Sequence, residues 1–240
     1  MSITIVLVRP LFSGNLGSVA RAMKNMGLRE LFLIEPEALP SDGEAKKMAA
    51  HAKDVLHESK IFSDLKTALQ DFDLVVGTSR RKGKERGNWT TPREFGQLSA
   101  EIVEEKRIAI LFGPEDSGLS NEEITLCQKI VEIPSHSDFP SLNLAQAVMV
   151  IAYECFTASL GAQTPTPKKL PKTAKVESLE NFYSDLGELL LEIGFLREDN
   201  PLHLMRLLRH FFNRAQASEK EVKIFRGILR QLRWWKKQIP

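Results

Sequence analysis

The sequence predicts an α/β protein with a parallel sheet, followed by a small all-helical domain. In the first two thirds of the chain, short apolar runs alternate with segments whose apolar residues recur every three to four positions. This alternation is typical of parallel strands joined by helices that cover both faces of the sheet. In the last third the strand pattern stops, and three helical patterns follow one another.

Five apolar runs, each bounded by turn residues, predict the strands. They are Ile3–Val8, residues 31–34, Leu74–Thr78, Ile108–Phe112 and residues 130–133. Helices are predicted between and after them at residues 19–26, 45–56, 64–69, 92–105 and 142–160. Ser63 is the predicted cap of the third helix, and Thr91, followed by Pro92, that of the fourth.

Residues 162–175 predict a linker between two domains, because three prolines interrupt them and no apolar period is present. The predicted domains are therefore residues 1–161 and residues 176–240. The first C-terminal helix ends before Gly194, a residue suited to a helix C-terminus. The third has an apolar stripe beside a basic one, and the basic stripe comprises Lys223, Arg226, Arg230, Arg233 and Lys237.

The charge of the chain is unevenly distributed. Residues 200–240 hold ten Lys or Arg and two Glu, a net charge of +8, whereas the whole chain carries only +2 and residues 1–199 therefore −6. A basic tail favours a polyanion such as nucleic acid as the partner. A solvated helix face is an equally good interpretation of the tail alone.

Composition excludes several other classes of protein. The chain has no run of eighteen apolar residues, and its first residues lack the features of a signal peptide, so we expect a cytoplasmic protein without a membrane partner. Cys127 and Cys155 lie far apart in apolar helical patterns and are expected to be packing residues. The five histidines show no metal-binding spacing, so no metal is expected.

Two common nucleotide-binding motifs and one hydrolase motif are missing from the sequence. No Gly-x-Gly-x-x-Gly follows the first strand, and no Gly-Lys-Ser/Thr occurs. A Gly-x-Ser-x-Gly elbow is also absent, which argues against a serine hydrolase. A cofactor, if present, must be held by another arrangement of loops.

Three polar or Gly-rich segments follow predicted strands. They are residues 15–21 (NLGSVAR), residues 113–119 (GPEDSGL) and residues 133–148 (IPSHSDFPSLNLAQAV). In the last of these a helix opens on Ser141 or Asn143, and its first backbone N–H groups are available to a ligand. Because the carboxyl ends of parallel strands meet at one edge of the sheet, the three segments predict a single site.

These segments together resemble the three motifs of the SpoU branch of the SPOUT methyltransferases. The resemblance rests on residues 15–27 (NLGSVARAMKNMG), residues 111–120 (LFGPEDSGLS) and residues 133–145 (IPSHSDFPSLNLA). The branch has an α/β sheet with a deep trefoil knot, and the resemblance implies that fold here. Past the linker, residues 179–183 (LENFY), 193–196 (IGFL), 212–215 (FNRA) and 224–229 (IFRGIL) resemble the helical extension of the TrmJ family.

The resemblance implies an enzyme that uses S-adenosylmethionine to methylate the ribose 2′-hydroxyl of cytidine or uridine at nucleotide 32 of tRNA. It also implies a homodimer, and no metal. The cofactor residues that it implies are Thr78, Ser79, Gly113, Pro114, Glu115, Ile133, Leu142 and Asn143.

The resemblance assigns the catalytic roles to Arg21, Ser141, Asn15 and Glu115. Arg21 would anchor a phosphate and orient the hydroxyl with its planar guanidinium, and as a stronger hypothesis would also take the proton. Ser141 would lie near the target ribose. For Asn15, Glu115 and Ser141, helix capping and loop stabilisation are the alternative roles.

Two basic regions are predicted to bind RNA. The loop after the third predicted strand carries Arg80, Arg81, Lys82, Lys84 and Arg86, with Trp89 predicted to be exposed beside them. Either Arg80 or Arg81 corresponds to the family arginine. The second region is the stripe with Lys223, Arg226 and Arg230. Methylation of ribosomal RNA, or RNA binding without catalysis, are the alternative functions.

Overall fold

A computed structural model describes residues 3–80, 88–161, 173–196 and 201–238. Its N-terminal part is built on a parallel sheet with the strand order β3-β2-β1-β6-β4-β7-β5. The strands are β1 (Ile3–Val8), β2 (Glu30–Ile34), β3 (Lys60–Phe62), β4 (Leu74–Thr78), β5 (Trp89–Thr90), β6 (Ile108–Phe112) and β7 (Lys129–Val131). The predicted fold class is confirmed, and the trefoil knot stays a prediction.

Ten α-helices lie within the described residues. They are α1 (Ser13–Asn25), α2 (Gly43–Ala49), α3 (Lys53–His57), α4 (Leu65–Leu69), α5 (Pro92–Ile102), α6 (Asn121–Thr125), α7 (Leu144–Gly161), α8 (Val176–Glu192), α9 (Pro201–Ala215) and α10 (Glu219–Lys236). A single turn of 3₁₀ helix, Ala50–Ala52, joins α2 to α3.

The sheet is buried on both faces, as its apolar strands predict. In β1, Ile3, Ile5 and Leu7 belong to the core cluster under α1, α2, α5 and α7. Val6 and Val8 point to the opposite cluster, which α4 and α6 cover. Successive side chains of a strand alternate between its faces, so a strand buried on both sides is predominantly apolar.

Several element boundaries differ from the prediction. The strands β3 and β5 were not predicted, because they are only three and two residues long. The predicted helix at residues 45–56 is interrupted at Ala50, which has a φ of +50° although no Gly or Pro marks the break. Ser63 is not the cap of α4: the Asp64 side chain accepts the hydrogen bond from the Thr67 backbone N–H.

The first motif belongs to a helix and not to a loop before one. The helix α1 begins at Ser13, so that Asn15, Ser18 and Arg21 all project from it. The prediction placed the helix start at residue 19, because the Gly and Asn residues before it favour turns. Tertiary packing overrides that local preference: Leu16 and Gly17 are buried within α1.

The central helix α7 is apolar enough to meet the length and composition criteria for a membrane span, with a mean hydropathy of 1.4 over 18 residues. Its side chains Leu144, Val148 and Ile151 are nevertheless buried in the main core of the sheet domain. The opposite side of the helix is more open, and Tyr153 and Leu160 there are 52% and 60% exposed. The helix therefore packs as a core helix that leaves one apolar face uncovered.

The last three helices form a third core of their own, around Phe182 and Phe212. Within it, the Tyr183 hydroxyl donates a hydrogen bond of 2.7 Å to Asn213 Oδ1. This domain contacts the sheet domain directly, since the Val176 N–H donates to the Phe72 carbonyl and Val176 packs into the second sheet core. The end of the predicted linker, residues 173–175, is thus packed between the second sheet core and this third core.

Both cysteines are packing residues, as predicted. Cys127 and Cys155 are buried and unpaired. Burial raises the pKa of both thiols, that of Cys155 to about 11, so both remain protonated at neutral pH.

The close approach of α1 to α2 should make Gly17 intolerant of any side chain. A Cβ atom at this position would lie 2.2 Å from the Ala45 carbonyl oxygen and 2.8 Å from the Met48 Cβ. We expect Gly17→Ala to lower the free energy of unfolding by about 1–3 kcal/mol, because the two helix backbones must separate. Urea denaturation measures this change.

Gly227→Ala is the matched control, since Gly227 also lies inside a helix but a Cβ atom there would meet nothing within 4 Å outside its own helix backbone. This substitution should raise the free energy of unfolding by about 0.5–1 kcal/mol through helix propensity alone. Equal effects of the two substitutions would contradict the close packing of α1 on α2.

Candidate active site

The three motif segments meet at one edge of the sheet. Strands β1, β6, β4 and β7 are consecutive in the sheet and parallel, so the segments that follow them leave on the same side. The first segment becomes the start of α1, the second runs from β6 to α6, and the third runs from β7 to α7. The three segments therefore converge as predicted, and their role as one functional site stays a prediction.

A chain of side-chain hydrogen bonds joins the three segments. Asn143 Nδ2 donates to Asn15 Oδ1 at 2.8 Å, and Asn15 Nδ2 donates to Glu115 Oε1 at 2.8 Å. In the sequence, Asn15 lies 128 positions from Asn143 and 100 positions from Glu115. Each motif therefore contributes one member of the chain, which we call the Asn143–Asn15–Glu115 relay.

Both ends of the relay are tied to the backbone. Asn143 Oδ1 accepts from the Ala145 N–H at 2.9 Å and so caps the start of α7, and Glu115 Oε2 accepts from the Leu11 N–H at 3.0 Å. The prediction left the start of this helix open between Ser141 and Asn143, and the structure assigns the cap to Asn143. Capping and loop stabilisation are thus real roles of this residue.

The fixed ends impose a direction on the relay. Because the carbonyl of Asn143 must face a backbone N–H, its amide NH₂ must face Asn15, whose own NH₂ must then face Glu115. Rotating either side-chain amide by 180° would place one N–H donor opposite another N–H donor. Glu115 consequently has to accept on both oxygens, which an ionised carboxylate does.

A cavity of about 160 Å³ lies beside the relay, between the three loops that follow β4, β6 and β7. Of the residues predicted to hold a cofactor, seven line it, namely Thr78, Ser79, Gly113, Pro114, Glu115, Ile133 and Leu142. Asn143, the eighth, lines the neighbouring cleft instead. The Thr78 hydroxyl donates to the Leu111 carbonyl at 2.9 Å, so it holds the strand ends together.

Gly113 allows the loop after β6 to fold back tightly on itself. A Cβ atom there would lie 2.2 Å from the Leu119 N and 2.3 Å from the Gly118 carbonyl carbon. Gly118 in turn has a φ of +66°, in the left-handed region that favours glycine. The loop thus presents its backbone to the cavity at close range, which a side chain at either position would prevent.

Several cavity residues were not predicted. They form an apolar wall that includes Phe112, Leu119, Val131, Leu144 and Ala147. Leu144 and Ala147 are three positions apart on α7, a spacing that the sequence shows but that is equally typical of ordinary core residues. Their position beside the cavity became evident only from the packing.

A more open cleft of about 620 Å³ adjoins the cavity. Its described lining comprises Phe12, Gly14, Asn15, Ser18, Glu44, Met48, Glu115, Phe139, Ser141, Leu142 and Asn143. Glu115, Ser141 and Leu142 line both spaces, so the cavity and the cleft share a boundary at these three residues. Three of the four predicted catalytic residues, Asn15, Glu115 and Ser141, therefore lie at one place.

Arg21, the fourth predicted catalytic residue, lines neither space. It is exposed on α1, three residues after Ser18 and seven after Gly14, and it therefore shares the helix face that borders the cleft. Arg21 thus lies further along that helix face, outside the cleft, and its catalytic role stays a prediction.

The residues predicted to bind RNA are only partly within the described chain. Arg80 lines the cavity beside Ser79. Arg81, Lys82, Lys84 and Arg86 lie outside the described residues. Trp89 is half-buried against the second sheet core, so the prediction that it is exposed was wrong.

The basic stripe of α10 is exposed, but part of it is engaged within the C-terminal domain. Arg226 Nε pairs with Asp185 Oδ2 of α8 at 2.8 Å, and Arg233 pairs with Glu188. Lys223 and Arg230 project from the same helix and are exposed. These two side chains are the parts of the stripe best placed to meet a polyanion.

The described residues contain no group of three or more His, Cys, Asp or Glu that could hold a metal ion. The polar side chains at the shared boundary are the Glu115 carboxylate and the Ser141 hydroxyl, and the amides of Asn15 and Asn143 lie beside them in the cleft.

Comparison with known proteins identifies relatives along nearly the whole chain. Residues 2–153 match the SpoU rRNA Methylase family, and residues 177–239 match the tRNA methyltransferase TrmJ, C-terminal domain. The chain is 43% identical to the tRNA (cytidine/uridine-2′-O-)-methyltransferase TrmJ of Cronobacter sakazakii, over 95% of this chain and 94% of that one.

Two further relatives extend the comparison. The tRNA (cytidine/uridine/adenosine-2′-O-)-methyltransferase TrmJ of Pseudomonas aeruginosa is 40% identical over 95% of this chain and 92% of its own. The crystal structure of TrmJ from Z. mobilis superposes with a TM-score of 0.83 at 31% identity, covering 96% of this chain and 98% of that one.

The direction of the relay predicts that Glu115 cannot be replaced by its amide. In Glu115→Gln, whichever way the new amide turns, its NH₂ faces either Asn15 Nδ2 or the Leu11 N–H. We expect the free energy of unfolding to fall by about 1–3 kcal/mol, because one hydrogen bond is lost and two donors are set against each other. Urea denaturation at neutral pH measures the loss.

Asp116→Asn controls for the change of charge. The neighbouring Asp116 is exposed, and its carboxylate accepts a hydrogen bond from the adjacent Ser117 hydroxyl. We expect this substitution to alter the free energy of unfolding by less than about 0.5 kcal/mol. A Glu115→Gln protein as stable as the Asp116→Asn protein would show that the relay does not organise the site.

Proposed function

Since the chain belongs to the SpoU methylase family and is a member of its TrmJ group, we propose that it methylates the ribose 2′-hydroxyl of a pyrimidine in tRNA. The proposal further specifies S-adenosylmethionine as the methyl donor and nucleotide 32 of the anticodon loop as the target. The observation that carries it is the shared boundary of cavity and cleft, which Glu115 and Ser141 line, with Asn15 beside it in the cleft.

The lining of the cavity suits S-adenosylmethionine chemically. Backbone groups at the ends of β4, β6 and β7 can bind its polar edges, and the apolar wall with Ile133 and Leu144 can contact the adenine ring. The tight fold at Gly113 brings the backbone close to such a ligand. When bound, the cofactor supplies a methyl group carried on a positively charged sulfur.

The boundary residues then determine the geometry of transfer. Ser141 is exposed at the point where cavity and cleft meet, so its hydroxyl is placed to bind the acceptor ribose. Holding two reactants in line can supply roughly 7–11 kcal/mol of the barrier, and rigid loops are needed for that. The relay provides this rigidity, because it joins the three motif segments and is fixed to the backbone at both ends.

Glu115 and Asn15 are assigned a positioning role within this proposal. Both carboxylate oxygens of Glu115 already accept hydrogen bonds, which makes the residue poorly placed to take a proton from the ribose. Arg21 is assigned the anchoring of a target phosphate, since its guanidinium carries the fixed charge on the face of α1 that borders the cleft.

The protein is proposed to act as a homodimer. The helix α7 leaves Tyr153 and Leu160 largely exposed on a helix whose mean hydropathy is 1.4, an apolar face that a second copy of the chain can cover. The exposed cations of α10, Lys223 and Arg230, are proposed to bind the tRNA backbone away from the site of reaction.

Incubation with tRNA and labelled S-adenosylmethionine, followed by nucleoside mapping, tests the function. We expect a 2′-O-methylated cytidine or uridine at position 32. Ribosomal RNA offered in competition should remain unmodified. Methylation of the ribosomal RNA instead would show that ribosomal RNA, and not tRNA, is the substrate. Failure to bind S-adenosylmethionine in calorimetry would favour an RNA-binding module without catalysis.

Replacing Arg21 separates catalysis from cofactor binding. Arg21→Ala should lower kcat by at least about 100-fold, the order of effect seen when one charge-stabilising donor is removed. Cofactor affinity, measured by calorimetry, should change by less than about twofold, because Arg21 does not line the cavity.

Arg29→Ala serves as the control for Arg21→Ala, since Arg29 is exposed beyond the end of α1 and off the face that borders the cleft. It should leave kcat within about twofold of the unsubstituted protein. Full activity of Arg21→Ala would remove this residue from the mechanism.

A further inference from the structure

Two exposed phenylalanine rings stand beside the polar boundary of the cleft. Phe139 is 81% exposed and Phe12 is 59% exposed, and both line the cleft that also contains Asn15 and Ser141. Large apolar side chains are usually buried, and a pair of open rings next to a polar site indicates a ligand surface.

The backbone on both sides of the cleft is held in place. The Phe12 carbonyl accepts from the N–H groups of Asn15 and Leu16, so Phe12 is the N-cap residue of α1. The Phe139 N–H donates to the His136 carbonyl, and the Ser135 hydroxyl closes the same loop by donating to the Pro140 carbonyl at 2.9 Å. The two rings are therefore presented from constrained segments.

The charge of the cleft selects which part of a nucleotide can enter it. Among its described lining residues, the charged side chains are Glu44 and Glu115, and no Lys or Arg is present. A phosphate would be repelled by two carboxylates, whereas a neutral base would not. Arg21 supplies a cation further along the same face of α1, outside the cleft.

We propose that Phe139 and Phe12 form a subsite for the base of the nucleotide whose ribose is methylated. The inference rests on the proposed function. If the 2′-hydroxyl reaches the boundary at Ser141, the base attached to the same ribose must occupy the adjoining cleft, between its aromatic and polar walls. The phosphate then lies towards Arg21.

Stacking on the rings accounts for acceptance of more than one base. Every base presents a π face, so aromatic platforms bind bases without reading their edges. Entry into the cleft also requires that the target nucleotide leave its neighbours, which is easiest in an unpaired loop. The subsite therefore couples recognition of a loop nucleotide to the position of its ribose.

An abasic substrate tests the contact directly. We compare kcat/KM on an anticodon stem-loop with that on the same stem-loop carrying a ribose without a base at the target position. For the unsubstituted protein, kcat/KM on the abasic RNA should be lower by about tenfold or more, as expected when a stacking contact is removed. On the intact RNA, Phe139→Ala should lower kcat/KM about tenfold. On the abasic RNA, the same substitution should lower kcat/KM little further, because both changes remove the same contact.

Three matched variants complete the experiment. Phe139→Tyr should retain kcat/KM within about threefold, since it keeps the ring, and Phe12→Ala should behave like Phe139→Ala. Phe195→Ala, which removes a ring that is 60% exposed just after α8, should leave kcat/KM unchanged. Cofactor binding by calorimetry should be the same in all four substituted proteins, which excludes general unfolding.

Two results would overturn the subsite while leaving the proposed function intact. If the losses from Phe139→Ala and from the abasic ribose simply multiply, the ring does not contact the base. If Phe139→Ala halves the molecular mass measured by light scattering, the ring contacts a second copy of the chain instead. An intact protein that binds the cofactor but methylates no tRNA would reject the proposed function, and the subsite with it.

Discussion

The directional hydrogen-bond relay from Asn143 through Asn15 to Glu115 is the constraint on which the site depends. It begins at the backbone of α7 and ends at the backbone N–H of Leu11, so the orientation of each amide is dictated by a group that cannot move. A relay of this kind can be satisfied in one arrangement only, and in that arrangement Glu115 is a double acceptor. Both oxygens of its carboxylate therefore hold the loop in place.

The relay can form because the sheet brings distant segments to the same edge. Parallel pairing of β1 with β6, β6 with β4, and β4 with β7 places the following loops side by side. Close backbone contacts at two glycines then bring these segments together. Gly17 lets α1 lie against α2, and Gly113 lets the loop after β6 turn back on itself. At both places a single methyl group would force the backbones apart.

Negative and positive side chains occupy different parts of the surface around the site. The cleft beside the relay is acidic, with Glu44 and Glu115 on its walls, whereas exposed cations such as Arg21 and Lys223 lie outside it. In the proposed function, phosphates are attracted to the outer positions, and a sugar and base enter the cleft. The uncovered apolar face of α7 belongs to neither task, which is why a second chain is the proposed occupant.

The sequence by itself determined the α/β class, the positions of β1, β2, β4, β6 and β7 and the helix end before Gly194, because apolar periodicity and turn residues are local signals. It also indicated that the three motif segments converge, because the carboxyl ends of parallel strands lie at one edge of a sheet. It could not determine that residues 13–18 are helical, that α2 and α3 are separate, or that Trp89 is half-buried, since these depend on contacts between elements. Tertiary structure alone decided that Glu115 is held by Asn15 and Leu11, and that Phe12 and Phe139 border the same cleft. Hydrogen bonds between residues a hundred positions apart leave no periodic trace in the sequence, and only the packed chain reveals them.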